Sequence, residues 1–270
     1  INSNKYLIIQ GFIGSNEDGE TTTLGRGGSD YTAALIAEAT NAKVLEIWTD
    51  VDGISTTDPR LCTDAYRIEK LSYKEASELA YLGAKILHPI CLIPAKRAKI
   101  DVFVGSSQLP SKGTWIGNIE DTSSKIKAIA LRQKQNYLII NNSKLLKHSQ
   151  FVQSVFTLCE DFKVQMDCLS LNESSISFSI DNKIFEINTF QKRLKNLGDF
   201  KALKEAETIS IIGANLNYKL LTPFMSELKD VFAMSFGSSE CSISFCVNQK
   251  NSTNLINTIH TLTLKGQGSI

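Results

Sequence analysis

Strand and helix signals alternate from Tyr6 to Val104, and this alternation constrains the fold more than any other feature of the sequence. Compact apolar segments predict strands at 6–10, 44–48 and 102–104. Helical periodicity and a Ser-x-x-Glu capping box predict helices at 31–39, 72–82 and 85–97. Asp30 stands at the expected N-cap of the first helix. Strands separated by helices predict an α/β lobe whose open, mostly parallel sheet is covered by helices.

The rhythm of the sequence changes after a segment rich in Gly, Ser and Pro. We interpret 108–118, with the polar stretch 120–124, as a linker. Two βαββα patterns follow in tandem, and each predicts a ferredoxin-like α+β module. The predicted strands are two within 125–141 and one each at 164–169, 175–180, 208–212, 231–236 and 242–247. The predicted helices are 151–161, 189–197, 220–228 and 251–264.

Composition excludes several classes of protein. The chain has 270 residues, enough for two domains, and its net charge of +1 does not suggest a nucleic-acid binder or a partner of anionic membranes. No apolar run approaches the length of a membrane span. Six cysteines occur without a CxxC pair, so we predict neither a zinc site nor disulfides, but reduced core cysteines in a cytosolic protein.

The densest motif is TTTLGRGGSD, from Thr21 to Asp30. Its glycines allow a tight turn and a close approach to a ligand, and the helix that follows offers unpaired N–H groups to an anion. Arg26 can grip a carboxylate through two parallel hydrogen bonds. The alternative is a plain connection into a helix. The Arg among the glycines and the Ser-Asp pair after them favour a binding site.

A second motif, WTDVDGISTTDPR, places polar residues directly after a predicted buried strand. The ends of strands in open parallel sheets are where ligands bind. Asp50 and Asp52 are candidates for orienting Mg²⁺ or a ribose, and Arg60 for meeting phosphate oxygens. For Asp52 and Asp58, each followed by a turn-forming residue, we favour plain turn chemistry.

The third motif is LGAKILHP, from Leu82 to Pro89. Lys85 follows a Gly-Ala break at the start of a predicted helix, where it can reach a bound phosphate. The alternative is a solvated surface lysine. We interpret His88 as a structural histidine rather than a catalytic base.

Together these motifs resemble the aspartokinases, a family of the amino acid kinase superfamily. QGFIGS before them and FVGSS after them match the same family. The resemblance extends over essentially the whole chain, and the tail is similar to the paired ACT modules of lysine-sensitive, monofunctional members. It implies part of a kinase lobe at 1–119, a first ACT module at 137–203, and a second module built from 120–136 and 204–270.

The resemblance implies ATP-dependent, Mg²⁺-assisted phosphorylation of L-aspartate to 4-phospho-L-aspartate, the first step of lysine, threonine and methionine biosynthesis, in the cytoplasm. The implied substrate-binding residues are Arg26, Gly27, Gly28 and Ser29. The implied nucleotide-binding residues are Thr49, Asp50, Ser55, Arg60, Lys85 and Ile86. Lys85 and Asp50 are the implied catalytic residues.

Two departures from the family pattern concern catalysis. Ser55 stands where the family usually has a Tyr beside the nucleotide. Residues 1–20 contain no Lys-Phe-Gly-Gly-Thr-Ser segment, which in the family supplies a phosphate-binding lysine and part of the aspartate pocket. We therefore expect this chain to be inactive alone, as a piece of a longer enzyme.

The resemblance also implies feedback control and an ACT-mediated homodimer. The effector-binding residues it implies, with lysine as the favoured effector, are Met166, Asp167, Asn172 and Glu173. Asp167 and Glu173 are candidates for an effector's ammonium groups; the alternative is that they are solvated charges at a strand edge. The loop 147–151 lacks the glycine usual there, and Gln150 is either neutral for effector binding or abolishes it.

Two other functions compete with a kinase of aspartate. One is a non-catalytic, amino-acid-binding regulatory subunit that partners a complete kinase, which the missing segment favours and the retained motifs disfavour. The other is a kinase of a different amino acid, such as glutamate. The combination of GRGGSD, TTDPR and ACT-like modules disfavours it.

Overall fold

The computed structural model of the chain describes residues 6–83, 87–110, 112–119, 125–183 and 186–265. Within these ranges the chain divides into two compact units. The first extends to Ala128 and also includes Ile212–Asn215. The second comprises Ile129–Ile211 and the residues from Leu216 onward.

In its described residues, the first unit contains a mostly parallel sheet and three α-helices. Its elements are β1 (Ile13–Ser15), β2 (Thr21–Thr23), α1 (Gly28–Ala39), β3 (Val44–Thr49), β4 (Lys70–Ser72), α2 (Tyr73–Tyr81), a 3-10 helix (Pro89–Cys91), α3 (Leu92–Ala98), β5 (Asp101–Ser106) and β6 (Gly113–Gly117). Four strands form a sheet in the order β3-β5-β6-β4. The pairs β3/β5 and β4/β6 are parallel, and β5/β6 is antiparallel. The α/β class is therefore confirmed.

Local sequence signals explain how these elements begin and pack. The Ser72 hydroxyl accepts the Glu75 N–H (3.2 Å), and the Glu75 carboxylate accepts the Ser72 N–H (2.8 Å), so the capping box that predicted α2 is present. All of β5 except Asp101 is buried, as expected for a strand with neighbours on both sides. In β3, buried residues alternate with more exposed ones, which indicates one covered face.

Two predictions for the first unit are wrong. Residues 6–10 have no regular secondary structure and are exposed, because no described strand pairs with this apolar segment. The segment 108–118 is not a simple linker, since β6 lies within it. Gly113 is glycine for packing: a Cβ there would overlap the ring of Phe103.

The second unit is built around a six-stranded sheet with helices. Its elements are β7 (Lys125–Asn141), α4 (His148–Asp161), β8 (Asp167–Leu171), β9 (Ser175–Asp181), α5 (Ile187–Lys195), β10 (Asp199–Ala214), a 3-10 helix (Tyr218–Glu227), β11 (Val231–Ser235), β12 (Ser242–Asn248) and α6 (Gln249–Thr263). The strand order is β11-β12-β10-β7-β9-β8. The pairs β7/β9, β8/β9 and β11/β12 are antiparallel.

The apolar face of α4 explains the main core of this unit. Phe151, Val155 and Leu158 recur at helical spacing and are buried. They belong to one cluster with Phe190 and Leu194 of α5. Strands β7 and β9 complete the cluster with Leu138, Ile140, Ile176, Phe178 and Ile180.

Two predictions for the second unit need correction. The segment 125–141 is one long strand rather than two, although Lys134 interrupts it with a left-handed φ of 60°. The predicted helix 220–228 is a 3-10 helix with Pro223 inside it, and proline cannot donate the backbone hydrogen bond that a regular α-helix needs.

All six cysteines lie within the described ranges, are buried, and form no disulfide, as predicted. In the described part of the chain, no helix is both long and apolar enough to cross a membrane.

Candidate functional site

The glycine-rich loop leads directly into α1. Gly25 and Gly27 have left-handed backbones, each with φ 74°, which favour glycine. The Gly28 N–H donates to the Gly25 carbonyl (3.0 Å) and closes a turn. Gly27 is the N-cap, and no side chain caps the helix. The prediction that Asp30 is the N-cap is therefore wrong: the left-handed Gly27 starts the helix earlier, and Asp30 lies in its first turn.

A cavity of about 550 Å³ opens at this loop. It is lined by Phe12, Gly25, Arg26, Gly27, Gly28, Ser29 and Asp30, so the structure brings together all four predicted substrate-binding residues. The uncapped first turn and the helix dipole attract an anion to the start of α1. Arg26 adds a guanidinium. The cavity therefore suits a small molecule that carries a carboxylate.

Two side chains that sequence reasoning did not assign to the loop contact it closely. A Cβ on Gly28 would lie 3.0 Å from Cδ2 of Phe12 and 2.9 Å from Cβ of Leu24. A Cβ on Gly27 would overlap the Cβ of His88. His88 therefore packs against the glycine-rich loop, and its role as a structural histidine rather than a catalytic base stays a prediction. No local sequence pattern indicates the contact between His88 and Gly27, because the two residues lie 61 positions apart.

Asp30 contributes a carboxyl group to the lining of the cavity. This half-buried carboxyl has a pKa raised by burial, an effect that the nearby His88 opposes. The thiol of Cys91 lies in the same region, and burial raises its pKa to about 12, so it stays neutral.

The second motif begins where β3 ends. Residues 40–43 form a short connection between α1 and β3, which pack together and so run antiparallel. The end of β3 therefore lies at the same end of the unit as the start of α1. There the Thr49 hydroxyl donates to Oδ1 of Asp50 (3.0 Å). Asp50 and Asp52 are both exposed. In the described ranges, no three His, Cys, Asp or Glu residues group as a ready-made metal site.

The loop after Asp52 is fixed by a threonine that sequence reasoning missed. The Ile54 N–H donates to the hydroxyl of Thr114 (2.8 Å), and that hydroxyl donates to the Ile68 carbonyl (2.6 Å). Thr114 is fully buried in β6. Its only signal is a polar residue inside the apolar segment GTWIG. Ser55 forms an isolated bridge with Arg67, so the backbone beside the predicted nucleotide contact is also held.

Arg60 turns back onto its own loop. Its guanidinium lies 2.6 Å from Oδ2 of Asp58, and its backbone N–H donates to Oδ1 of the same carboxylate (2.9 Å). Asp58 is therefore a turn-forming residue, as we favoured. The Arg60 side chain is 82% exposed. The predicted residues Lys85 and Ile86 lie outside the described residues.

The predicted effector-binding residues lie in and beside β8. Asp167 forms an ion pair with Arg132 of β7. Oδ1 of Asn172 accepts the N–H groups of Ser174 (2.9 Å) and Ser175 (2.8 Å) and so caps the turn between β8 and β9.

The loop before α4 meets that turn. Nδ1 of His148 is 3.3 Å from the carbonyl oxygen of Glu173. The Glu173 side chain is exposed, and Met166 is half-buried. No side chain caps the first turn of α4. The N–H groups of this turn are therefore open to an anion.

Comparison with known proteins identifies relatives that span both units. The Amino acid kinase family matches residues 1–106. Lysine-sensitive aspartokinase 3 of Escherichia coli (strain K12) is 46% identical over 176 residues, which are 65% of this chain and 39% of that protein. The aspartokinase of Chlamydia pneumoniae is 34% identical over 267 residues, covering 94% of this chain and 59% of the relative.

Solved structures give the same result. The chain matches E. coli aspartokinase III in complex with aspartate and ADP at a TM-score of 0.80 and 33% identity, over 93% of this chain and 59% of that one. It matches aspartate kinase of Clostridium acetobutylicum at 0.83 and 25%, over 94% and 62%. The chain thus spans less than two thirds of each of these relatives. With the motifs at 21–30 and 48–60, these matches show that the chain belongs to the aspartokinase family.

Proposed function

We propose that the protein phosphorylates the side-chain carboxylate of L-aspartate with ATP, giving 4-phospho-L-aspartate and ADP. The observation that carries this proposal is the cavity at the start of α1, which Arg26 and a backbone of glycines line. An aspartokinase that this chain resembles over 93% of its length was crystallised with aspartate and ADP.

In this proposal, each residue of the glycine-rich loop makes a different contact with aspartate. Arg26 pairs with a substrate carboxylate, and Gly27 and Gly28 leave their backbone open to it because neither carries a side chain. Ser29 adds a hydroxyl. The first turn of α1 is uncapped, so its N–H groups and the helix dipole also attract the carboxylates of the substrate. The loop therefore needs no metal ion to balance their charge.

Residues after β3 contact the nucleotide in this proposal. Thr49 holds Asp50 through its hydroxyl, which orients the carboxylate for its role at the phosphates. Mg²⁺ with ATP would neutralise charge on the phosphate oxygens, and the exposed carboxylate of Asp50 is a ligand of the kind it prefers. On nucleotide binding, the Arg60 guanidinium exchanges the Asp58 carboxylate for a phosphate of ATP. Ser55 and Ile86 complete the nucleotide contacts.

Lys85 and Asp50 are the residues we propose for catalysis. Phosphoryl transfer demands alignment of the two substrates and stabilisation of charge that develops on the transferred group. Lys85 supplies a positive charge to that group. Asp50 acts through its ligand contacts rather than as a base, because an ionised substrate carboxylate is already a nucleophile and has no proton to lose.

The remaining chain is regulatory in this proposal. Residues 137–203 form a first ACT module, and 120–136 with 204–270 form a second. We propose that lysine binds at the first module through Met166, Asp167, Asn172 and Glu173, that the modules pair two chains into a homodimer, and that the enzyme works in the cytoplasm. The open first turn of α4 beside Glu173 supports an amino-acid site, since it offers both an anion-binding and a cation-binding group.

The test is substrate binding and turnover with Arg26→Gln. Titration calorimetry with L-aspartate should show a loss of affinity of about tenfold to a hundredfold, as expected when a hydrogen bond between charged groups is removed. Arg97→Gln is the matched control, because Arg97 pairs with Glu38 (2.5 Å) at an exposed position on α3. Aspartate-dependent ADP release should follow the same order in a protein that contains this chain. Equal aspartate affinity in wild type and Arg26→Gln would contradict the assignment.

The same preparation separates catalysis from pure regulation. Saturable lysine binding without aspartate binding or ADP release, in a protein that retains this whole chain, would instead support the non-catalytic regulatory subunit.

A further inference from the structure

The carboxylate proposed to receive an effector's ammonium group is already engaged within the chain. An Arg132 guanidinium nitrogen bonds to Oδ2 of Asp167, and the two side chains are 26% and 20% exposed. The residues lie on β7 and β8, two strands of one sheet that β9 separates, and are 35 positions apart in sequence. A partly buried pair of this kind is screened less than a surface pair. Asp167 is therefore a carboxylate with a resident counter-ion.

A second donor holds the same carboxylate oxygen from inside the sheet. Nε2 of Gln135 lies 3.4 Å from Oδ2 of Asp167. Gln135 is 1% exposed, and its Oε1 accepts the hydroxyl of Thr208 at 2.5 Å. Thr208, on β10, is also buried. The position of the Asp167 carboxylate is thus fixed through buried groups on two further strands, while its charge is balanced by Arg132.

A second carboxylate also acts on Arg132 electrostatically. The carboxylate of Asp181 at the end of β9 interacts with the Arg132 guanidinium electrostatically. In the β7/β9 register, Asp181 stands opposite Gln135. The field of Asp181 therefore still favours the charge of a guanidinium released from Asp167, which lowers the cost of releasing it.

We propose that Arg132 is a tethered competitor that an effector's side-chain ammonium must displace from Asp167, and that Gln135 holds the carboxylate in place during this exchange. The inference rests on the proposed effector site. A guanidinium and an ammonium compete because both require the same carboxylate oxygens, and two cations beside one carboxylate repel each other. Arg132 therefore sets the effector affinity, and it favours a diamino acid, whose second ammonium can take its place.

Arginine-to-glutamine substitution tests the competition directly. In titrations with L-lysine, Arg132→Gln should bind at least about fivefold more tightly than wild type, since breaking a partly buried pair no longer opposes binding. Arg132→Lys should keep an affinity near that of wild type, because it restores a tethered cation. Arg193→Gln is the matched control: it removes an exposed arginine of α5 in the same unit and should leave the affinity unchanged.

The outcomes separate this inference from the function on which it rests. If wild type binds lysine and Asp167→Asn weakens it, but Arg132→Gln binds equally or more weakly, Arg132 is no competitor and only this inference is overturned. If folded wild type and folded Arg132→Gln both fail to bind lysine, the effector site and the inference are overturned together. Binding unmasked only in Arg132→Gln supports both.

Discussion

The two candidate binding regions are built in opposite ways. In the first unit, the cavity at the start of α1 is made of glycine backbone, an uncapped helix turn and Arg26. In the second unit, the predicted effector residues use their polar atoms within the chain: Asp167 pairs with Arg132, and Asn172 caps a turn. The first region presents open groups, whereas in the second Asp167 and Asn172 are already satisfied, although the first turn of α4 is uncapped.

This difference separates two ways of binding charged ligands. An open helix terminus binds an anion without first breaking an internal contact, so its affinity depends on the ligand. A carboxylate with a resident counter-ion binds a cation only by exchange, so its affinity also depends on the chain's own pair. The open helix terminus suits a substrate, which must bind without a preceding rearrangement. The carboxylate with a resident counter-ion suits an effector, because the internal pair adjusts the concentration at which the effector binds.

Deleting the buried cation of the first unit should give the largest effect on stability. Nζ of Lys127 lies 2.8 Å and 3.0 Å from the two carboxylate oxygens of Glu75, and the side chains are 10% and 1% exposed. Lys127→Met leaves a buried carboxylate without its cation, so we expect the free energy of unfolding to fall by about 3–5 kcal/mol. Urea denaturation followed by circular dichroism measures it.

Arg97→Met is the control for that substitution. It removes one partner of the Glu38 pair, but the Arg97 side chain is 64% exposed, so the free energy of unfolding should change little. Equal losses in the two variants would mean that burial does not distinguish the pairs. The buried pair of Lys127 and Glu75 would then contribute no more to the free energy of unfolding than the exposed pair of Arg97 and Glu38.

A methyl group on Gly27 should give the next largest effect. Gly27→Ala forces an alanine into a left-handed backbone at φ 74° and against the Cβ of His88. Backbone strain and overlap together should lower the free energy of unfolding by about 2–4 kcal/mol. Aspartate affinity should fall as well, because the loop has to shift.

Gly19→Ala provides a matched control for Gly27→Ala. Gly19 also has a left-handed backbone, with φ 80°, but a Cβ there would meet nothing within 4 Å. Backbone strain alone then acts on the variant, so the free energy of unfolding should fall by about 1 kcal/mol. If Gly27→Ala cost no more than Gly19→Ala and bound aspartate normally, the close packing of the loop against His88 would be irrelevant to the site.

The open region was easier to predict from sequence than the satisfied one, for a physical reason. A glycine-rich turn before a helix and a capping box depend on backbone conformations that a few adjacent residues determine. TTTLGRGGSD and Ser72–Glu75 therefore predicted their local structures, apart from the helix start at Gly27 rather than Asp30.

Contacts between distant strands have no such local signal. Arg132 meets Asp167 across 35 positions, and Thr208 meets Gln135 across 73. Both depend on strand register, which periodicity alone does not specify. For the same reason β6 was mistaken for a linker: its glycines indicated a flexible segment, whereas Gly113 makes room for Phe103. The prediction that Asp167 receives an effector's ammonium group therefore did not include its contact with Arg132.

The pH dependence of stability should reveal a buried carboxyl group in the second unit, Glu207, whose Oε1 has no hydrogen-bond partner among the described residues. Glu207 is 1% exposed and accepts the Ser252 hydroxyl (2.5 Å); burial raises its pKa above the ordinary 4.5, an effect that this hydrogen bond opposes. The folded chain then holds the proton to higher pH than the unfolded chain. Wild-type stability should therefore fall relative to Glu207→Gln as the pH rises from below 4.5 through the folded-state pKa.

Unfolding in urea at a series of pH values measures this difference. Glu160→Gln, at an exposed position of α4, is the control and should keep a constant difference from wild type. A constant difference for Glu207→Gln as well would mean that Glu207 is not held in an environment that disfavours its charge.

The smallest effect on stability, with a clear effect on binding, should come from Arg60. Its pair with Asp58 is satisfied in the structure but lies at the surface, with the Arg60 side chain 82% exposed. Arg60→Gln should therefore leave unfolding nearly unchanged, because exposed pairs contribute little. If Arg60 exchanges Asp58 for a phosphate, ATP affinity should fall about tenfold, in line with a lost charged hydrogen bond. Calorimetric titration with Mg-ATP, with Arg97→Gln as control, measures this. Unchanged ATP affinity would restrict Arg60 to its turn, and would make exchange of a resident partner a property of the second unit alone.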